Sequence, residues 1–239
     1  MLNPRLKSAA ERILPRFLTG WLDPVQRLIE TEVRAAAAMA RDGEVILDAG
    51  AGESRHRNCF DRGRYVAIDT GSGDANWDYS KLDVIGDLEH LPLRSASTDL
   101  VLCMVVLEHT RNPRRVLEEF ARVMKPRSRL VAIVPFLWEE HQAPHDYFRF
   151  TRYGVRQLFE SLPLRLDILE PIGGFFWLSA RRCVNLLSFF QGGWRWILFC
   201  VLAPFFGFLL PVLLYFLDGL DSDKAYSLGF RVRATRGDE

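Results

Sequence analysis

A surplus of charge of either sign is missing from this chain of 239 residues, in which 31 lysines and arginines face 30 aspartates and glutamates. Nucleic-acid binding is therefore a poor expectation, since its footprint is a strong basic excess. Lysine itself is confined to Lys7, Lys81, Lys125 and Lys224, a bias that carries no functional information. The four cysteines, Cys59, Cys103, Cys183 and Cys200, are scattered without a C-x-x-C pair. That argues against a structural zinc site and a disulfide framework, fits a reducing compartment, and leaves no metal ligand to assign. The first residues also lack the uninterrupted apolar core of a signal peptide, because Arg5, Lys7, Glu11 and Arg12 interrupt them. The expected location is cytoplasmic. The most local absence is in residues 196–217, WILFCVLAPFFGFLLPVLLYFL, where 22 residues pass without a charge.

What is present begins at Val45–Gly52, VILDAGAG, an apolar run that stops at Asp48 and turns through Gly50 and Gly52. Glycine has no Cβ, so such a turn lets bare backbone approach a nucleotide-like ligand. Further strand-like runs cover 64–69, 82–86, 99–105, 129–135 and 164–169, with a period-two strand over 228–235 that reads as having one wet face. Helical spacing covers 113–124, where Val116, Leu117, Phe120 and Val123 recur, and 151–161; residues 3–42 read as helical, with starts at Asn3-Pro4 and Asp23-Pro24. Strands alternating with helices imply an α/β fold, a doubly wound sheet whose ligands lie at the carboxyl ends of its strands.

Three acids stand at such ends: Asp48, Asp69 in YVAID, and Asp87 in DVIGDLEHLPL. A carboxylate accepts two hydrogen bonds and so suits the paired hydroxyls of a ribose, which Asp69 is placed to hold. Asp87, with Leu88, is placed to meet the exocyclic amine of an adenine. Each residue also has a purely structural account, the glycines as a tight turn and the acids as caps. A dinucleotide fingerprint would put its third glycine at Arg55, which disfavours a nicotinamide-dependent oxidoreductase.

The segments VILDAGAGESRHR, YVAID, DVIGDLEHLPL, STDLVLCMVVLEHT, VLEEFARVMKP and EEHQAPHDYFRFTRYGV, over about residues 44–160, together resemble the class I S-adenosylmethionine-dependent methyltransferases. The resemblance implies a Rossmann-like sheet of seven strands with an antiparallel last strand and S-adenosylmethionine as cofactor. It implies methionine near Asp48, Ala49, Gly50 and Gly52, ribose at Asp69, adenine at Asp87 and Leu88, and Met104 as a further cofactor contact. Two positions depart from the family pattern: Ser54 stands where a third glycine is common, and Arg127-Ser128 where Gly-Gly often precedes the fifth strand.

Methyl transfer from a sulfonium is an in-line displacement that demands alignment and dryness more than catalytic groups. The acceptor is expected at Trp138–Thr151, with His145 or His141 as base, Asp146 orienting it and Tyr147 beside it. The alternative is a loop held down by its aromatics and an Asp146–Arg149 pair, with no base. Glu108-His109 is read either as a neighbour of the cofactor or as a cap for the helix from Pro113.

The apolar run divides the chain into an N-terminal helical segment (1–42), a cofactor-binding domain (43–172 and 226–239) and an apolar helical insertion (173–225). Pro204, Gly207 and Pro211 break the run into pieces suited to a membrane-dipping hairpin, preceded by a helix from Phe175 to Phe190. Trp194, Trp196 and Tyr215 at its ends, and Arg181, Arg182 and Arg195, suit a bilayer boundary. The other reading is a buried cap or dimer interface. The combined expectation is methyl transfer to a small-molecule or lipid- or saccharide-linked acceptor at the cytoplasmic face of the membrane, through residues 175–217. A non-catalytic, cofactor-binding scaffold is the alternative.

Overall fold

The computed structural model describes residues 24–73 and 76–238. Helix α1 (Pro24–Ala38) precedes β1 (Val45–Ala49), β2 (Arg64–Asp69), β3 (Val84–Ile85), β4 (Thr98–Met104), α2 (Pro113–Val123) and β5 (Met124–Pro135). Then come α3 (Arg152–Phe159), β6 (Leu164–Pro171), α4 (Phe175–Leu186), α5 (Trp196–Pro204), α6 (Leu210–Leu217) and β7 (Gly229–Arg236). The expected start at Asn3-Pro4 lies outside the described residues.

The strands form one seven-stranded sheet in the order β3-β2-β1-β4-β5-β7-β6. β1 to β5 pair in parallel, and β7 runs antiparallel to β5 with Ala132 opposite Val232. This is the doubly wound, seven-stranded α/β sheet with an antiparallel last strand that the resemblance implied. One face buries Leu47, Val101, Leu130 and Val232 against Val116, Leu117 and Phe120 of α2; the other buries Ile46, Leu100 and Leu102 with Ala36 of α1. Both faces are covered, as parallel strands require.

Local chemistry explains where elements begin. Asn112 caps α2 by accepting from the Arg115 amide at 3.1 Å, and Pro113 supplies the first helical φ. Glu108-His109 therefore does not cap that helix. β5 follows α2 without a gap; within it Arg127 holds φ of +63° where the pairing with β4 shifts register between Thr98 and Leu100, and Ser54 likewise holds +55°. Both departures from the family's glycines thus sit in the left-handed region that glycine favours. The alternate face of β7 is half-exposed: Arg231 and Arg233 lie partly in solvent yet donate to the buried Glu32 of α1 at 2.7–3.0 Å.

Among the described residues two compact units can be distinguished, residues 29–170 with 229–238, and residues 171–228 with 24–28. Inside the second, α5, a π-helical turn (Phe205–Leu209) and α6 join into one helix from Gly193 to Leu220, 28 residues at a mean hydropathy of 2.6. This corrects the expectation of a break within the run. A π turn re-registers the hydrogen bonds that Pro204 removes, so the helix continues. The hairpin is formed instead with the preceding segment: Trp177 of α4 stacks on Tyr215 at 4.6 Å, and Gly207 leaves room for Leu187, whose Cδ1 would lie 2.9 Å from a Cβ there. Asp218 closes its base, accepting from the Gly174 and Trp177 amides and from Lys224 Nζ at 2.6–3.1 Å. The Leu228 amide donates to the Ile172 carbonyl at 3.0 Å, so the segment enters and leaves at one point.

Candidate cofactor and acceptor site

The carboxyl ends of β3, β2, β1 and β4 lie side by side in that order, and the residues expected to hold a cofactor sit on them. Ala49 ends β1 fully buried, and Asp48 before it is 2% exposed. Tyr65 donates its hydroxyl to Asp48 Oδ2. Burial pushes the Asp48 carboxyl above its usual range, against the pull of His56 and the Tyr65 hydrogen bond. The Gly50 and Ala51 amides donate to the Ile68 carbonyl at 2.8 and 3.0 Å, folding the loop over the end of β2. Gly50 has φ of +79°, and a Cβ there would lie 2.4 Å from Val106 Cγ1. Glycine is thus required twice over, by backbone and by space.

Asp69 binds both loops together: one oxygen accepts from the Gly52 amide and the other from the Gly71 amide, each at 2.9 Å. Each carboxylate oxygen retains a second lone pair for a ligand hydroxyl. Asp87 caps the following turn by accepting from the Glu89 amide at 2.9 Å, the structural account its position also allowed, while Leu88 packs into the core. Met104 ends β4 half-buried against the Ile46, Leu100 and Leu102 cluster. The next residue, Val105, holds φ of +61°, a strained conformation for a β-branched side chain that costs about 1–3 kcal/mol. The strain marks the chain's turn out of the sheet at the same edge.

The loop after β5 folds against the turn after β4. The amides of Tyr147 and Phe148 donate to the Glu108 carbonyl at 2.8 and 3.3 Å. Asp146, expected to orient a histidine, takes Arg149 in a bidentate pair at 2.6 Å and accepts from the His141 amide at 2.8 Å. Burial would raise its carboxyl, but Arg149 and His141 bring it down to about 2. His141 is held at 9% side-chain exposure. Burial disfavours its imidazolium, yet the Glu108 carboxylate 3.6 Å away and the Glu139 carbonyl bring its pKa above the ordinary value. The His145 ring faces outward and bonds the Tyr147 hydroxyl at 2.9 Å. The four residues expected to act on the acceptor thus divide into a buried His141–Asp146 pair and an outer His145–Tyr147 pair.

One group escaped the sequence reading. Glu108 is fully buried, neither carboxylate oxygen has a hydrogen-bond partner, and the Nε2 atoms of His109 and His141 stand 3.7 and 3.6 Å from its Oε1. Glu108 and His109 precede His141 by more than thirty residues, so no short spacing announced them; the neighbouring positions of β4 and β5 in the sheet bring them together.

Residues 47–132 match a family described as a methyltransferase domain. A malonyl-[acyl-carrier protein] O-methyltransferase from Hahella chejuensis is 29% identical over 123 residues, an alignment taking in 45% of this chain and 44% of that protein. The chain therefore spans less than half of the curated relative it matches. A chain from the complex of the Haloferax volcanii Trm112 methyltransferase activator shares the fold with a TM-score of 0.57 at 17% identity, over 98% of this chain and 95% of that one. A Burkholderia thailandensis 1,6-didemethyltoxoflavin-N1-methyltransferase, with bound 1,6-didemethyltoxoflavin and S-adenosylhomocysteine, shares it at 0.52 and 17%, over 100% of this chain and 92% of that one.

Proposed function

We propose that this chain, which carries a class I S-adenosylmethionine-dependent methyltransferase domain, transfers the methyl group of that cofactor to a small-molecule or lipid- or saccharide-linked acceptor at a membrane surface. The observation that supports the transfer is the edge formed by Asp48, Gly50, Gly52 and Asp69, where one carboxylate ties the β1 and β2 loops together and Gly50 leaves the loop without a side chain. In this reading Gly50 and Gly52 admit the methionine part, with Asp48 and Ala49 behind it. Asp69 holds the ribose, Asp87 and Leu88 flank the adenine, and Met104 closes the β4 side. The loop 138–151 shapes the acceptor site and excludes water; His141 or His145 takes a proton where the acceptor holds one, with Asp146 and Tyr147 positioning them.

The membrane part rests on Gly193–Leu220, of whose most apolar window only 6% is buried. At 1.5 Å per residue the helix is about 42 Å long, against a hydrocarbon thickness of about 30 Å. Because its segment enters and leaves beside the Ile172–Leu228 hydrogen bond, a hairpin dipping from the cytoplasmic face keeps β7 with its sheet. The proposed division is an N-terminal helical segment over 1–42, 43–172 with 226–239 for the cofactor, and 173–225 for the membrane.

Transfer of a tritiated methyl group from the cofactor into separated membrane and metabolite extracts tests the proposal. Label in an organic-extractable acceptor supports it; label only in water-soluble metabolites removes the membrane part. Cofactor binding with no transfer into either extract favours a scaffold.

A further inference from the structure

We propose that Glu108, His109 and His141 form a binding site for a divalent transition-metal ion of the zinc class. His109 Nε2, His141 Nε2 and Glu108 Oε1 make a nearly equilateral triangle with sides of 3.1, 3.6 and 3.7 Å. A point about 2.0 Å from all three atoms lies at its centre, the length of zinc–nitrogen and zinc–oxygen bonds. The separations are too long for a hydrogen bond from either ring to the carboxylate, and they are the separations of ligands that share one ion.

The surroundings fix the rings for this role. His109 Nδ1 lies 2.6 Å from the His145 carbonyl and His141 Nδ1 lies 3.2 Å from the Glu139 carbonyl. A carbonyl only accepts, so each Nδ1 carries a proton, and in the neutral rings each Nε2 then turns a lone pair toward the other. Ring N–H groups held by carbonyls or carboxylates are the usual outer support of metal-bound histidines, and the Asp146 carboxylate stands 3.6–3.9 Å behind both Nδ1 atoms. With both rings neutral, two lone pairs 3.1 Å apart face each other beside a fully buried carboxylate that has no hydrogen-bond partner, and a cation among the three relieves that repulsion. Two imidazoles and one carboxylate favour zinc, iron(II), cobalt or nickel over magnesium and calcium, which prefer all-oxygen sets.

Three protein ligands leave a coordination position open, as in catalytic rather than closed structural sites. An oxygen or nitrogen donor of a bound molecule would complete it, at the turn after β4 whose next strand edge carries the cofactor residues. The ion's binding does not depend on methyl transfer and is read on the chain without cofactor; with the ion bound, His141 is a ligand and the proton-accepting role falls to His145 alone.

The test uses untagged full-length chain, stripped with a chelator and titrated with cobalt(II) as a spectroscopic probe, then with zinc(II) in competition. The expected result is one equivalent of cobalt with a visible ligand-field band, displaced by one equivalent of zinc and untouched by magnesium. Glu108→Gln and His141→Ala, each checked for its native circular dichroism, should weaken binding by more than about 100-fold, beyond what loss of an outer-shell partner costs. His141→Ala, in the loop, serves if the buried Glu108 variant does not fold. Unchanged affinity in a folded variant, equal occupancy by magnesium, or no stoichiometric cobalt in the wild type overturns the proposal.

Discussion

The Gly52 amide donates to the Asp69 carboxylate across 2.9 Å, so the loop after β1 and the end of β2 form one unit before any ligand arrives. The same carboxylate holds Gly71. Replacing it therefore removes a ligand contact and loosens two loops together. Asp69→Ala should weaken S-adenosylmethionine by about 1–3 kcal/mol, and Asp69→Asn, which retains one acceptor oxygen, by less. Equilibrium dialysis with labelled cofactor checks the order; equal affinity in Asp69→Ala removes the residue from the ribose role.

Gly50→Ala meets both a left-handed backbone and the Val106 side chain. The conformational cost and the overpacking together should destabilise the domain by about 2–4 kcal/mol. Adding Val106→Ala should return the steric part and leave the backbone part, so chemical denaturation of the single and double variants separates them. Full recovery in the double variant would show that φ at Gly50 carries no cost.

The folded-state pKa of Asp146, about 2, is below its ordinary 3.8. A lowered acid contributes stability above its unfolded pKa and loses it as pH falls through the folded value. The His141–Arg149 loop should thus lose about 2 kcal/mol between about pH 4 and pH 2, at 1.36 kcal/mol per unit. Arg149→Ala removes the bidentate partner and should move this loss to higher pH. Amide exchange across residues 141–149 reads it; an acid profile unchanged by Arg149→Ala would contradict the pairing.

Leu209 and Phe216 are 58% and 70% exposed on the apolar helix. Glu at both positions should abolish flotation with anionic vesicles while leaving cofactor affinity unchanged, because a buried charge in hydrocarbon costs several kcal/mol. Should the wild type fail to float and instead sediment as a dimer that the double variant turns to monomer, the helix is a subunit interface.

How much of this was legible depends on how local each signal is. β1, β2, β4 and the helix at Pro113 are written in runs and caps a few residues long, and their bounds emerge within a residue or two of expectation. The early start of β5 at Met124 was hidden because the strand is irregular there, with Arg127 at φ of +63° and a shift of register against β4 between Met124 and Arg129. The apolar run read as broken because proline rules are local, whereas a π turn spreads the repair over Phe205–Leu209. Arg231 and Arg233 read as wet because their partner Glu32 lies some 200 residues earlier in the chain. The Glu108, His109 and His141 group was invisible for the same reason: only the adjacency of β4 and β5 joins its halves.

The most direct measurement of the central claim is a calorimetric titration of the purified chain with S-adenosylmethionine, S-adenosylhomocysteine and NAD in turn. Saturable one-to-one binding of the first two, and none of the third, is the predicted result. Binding of NAD instead, or of none of the three, would contradict the assignment of the edge at Asp48–Gly52 and Asp69 to a sulfonium cofactor.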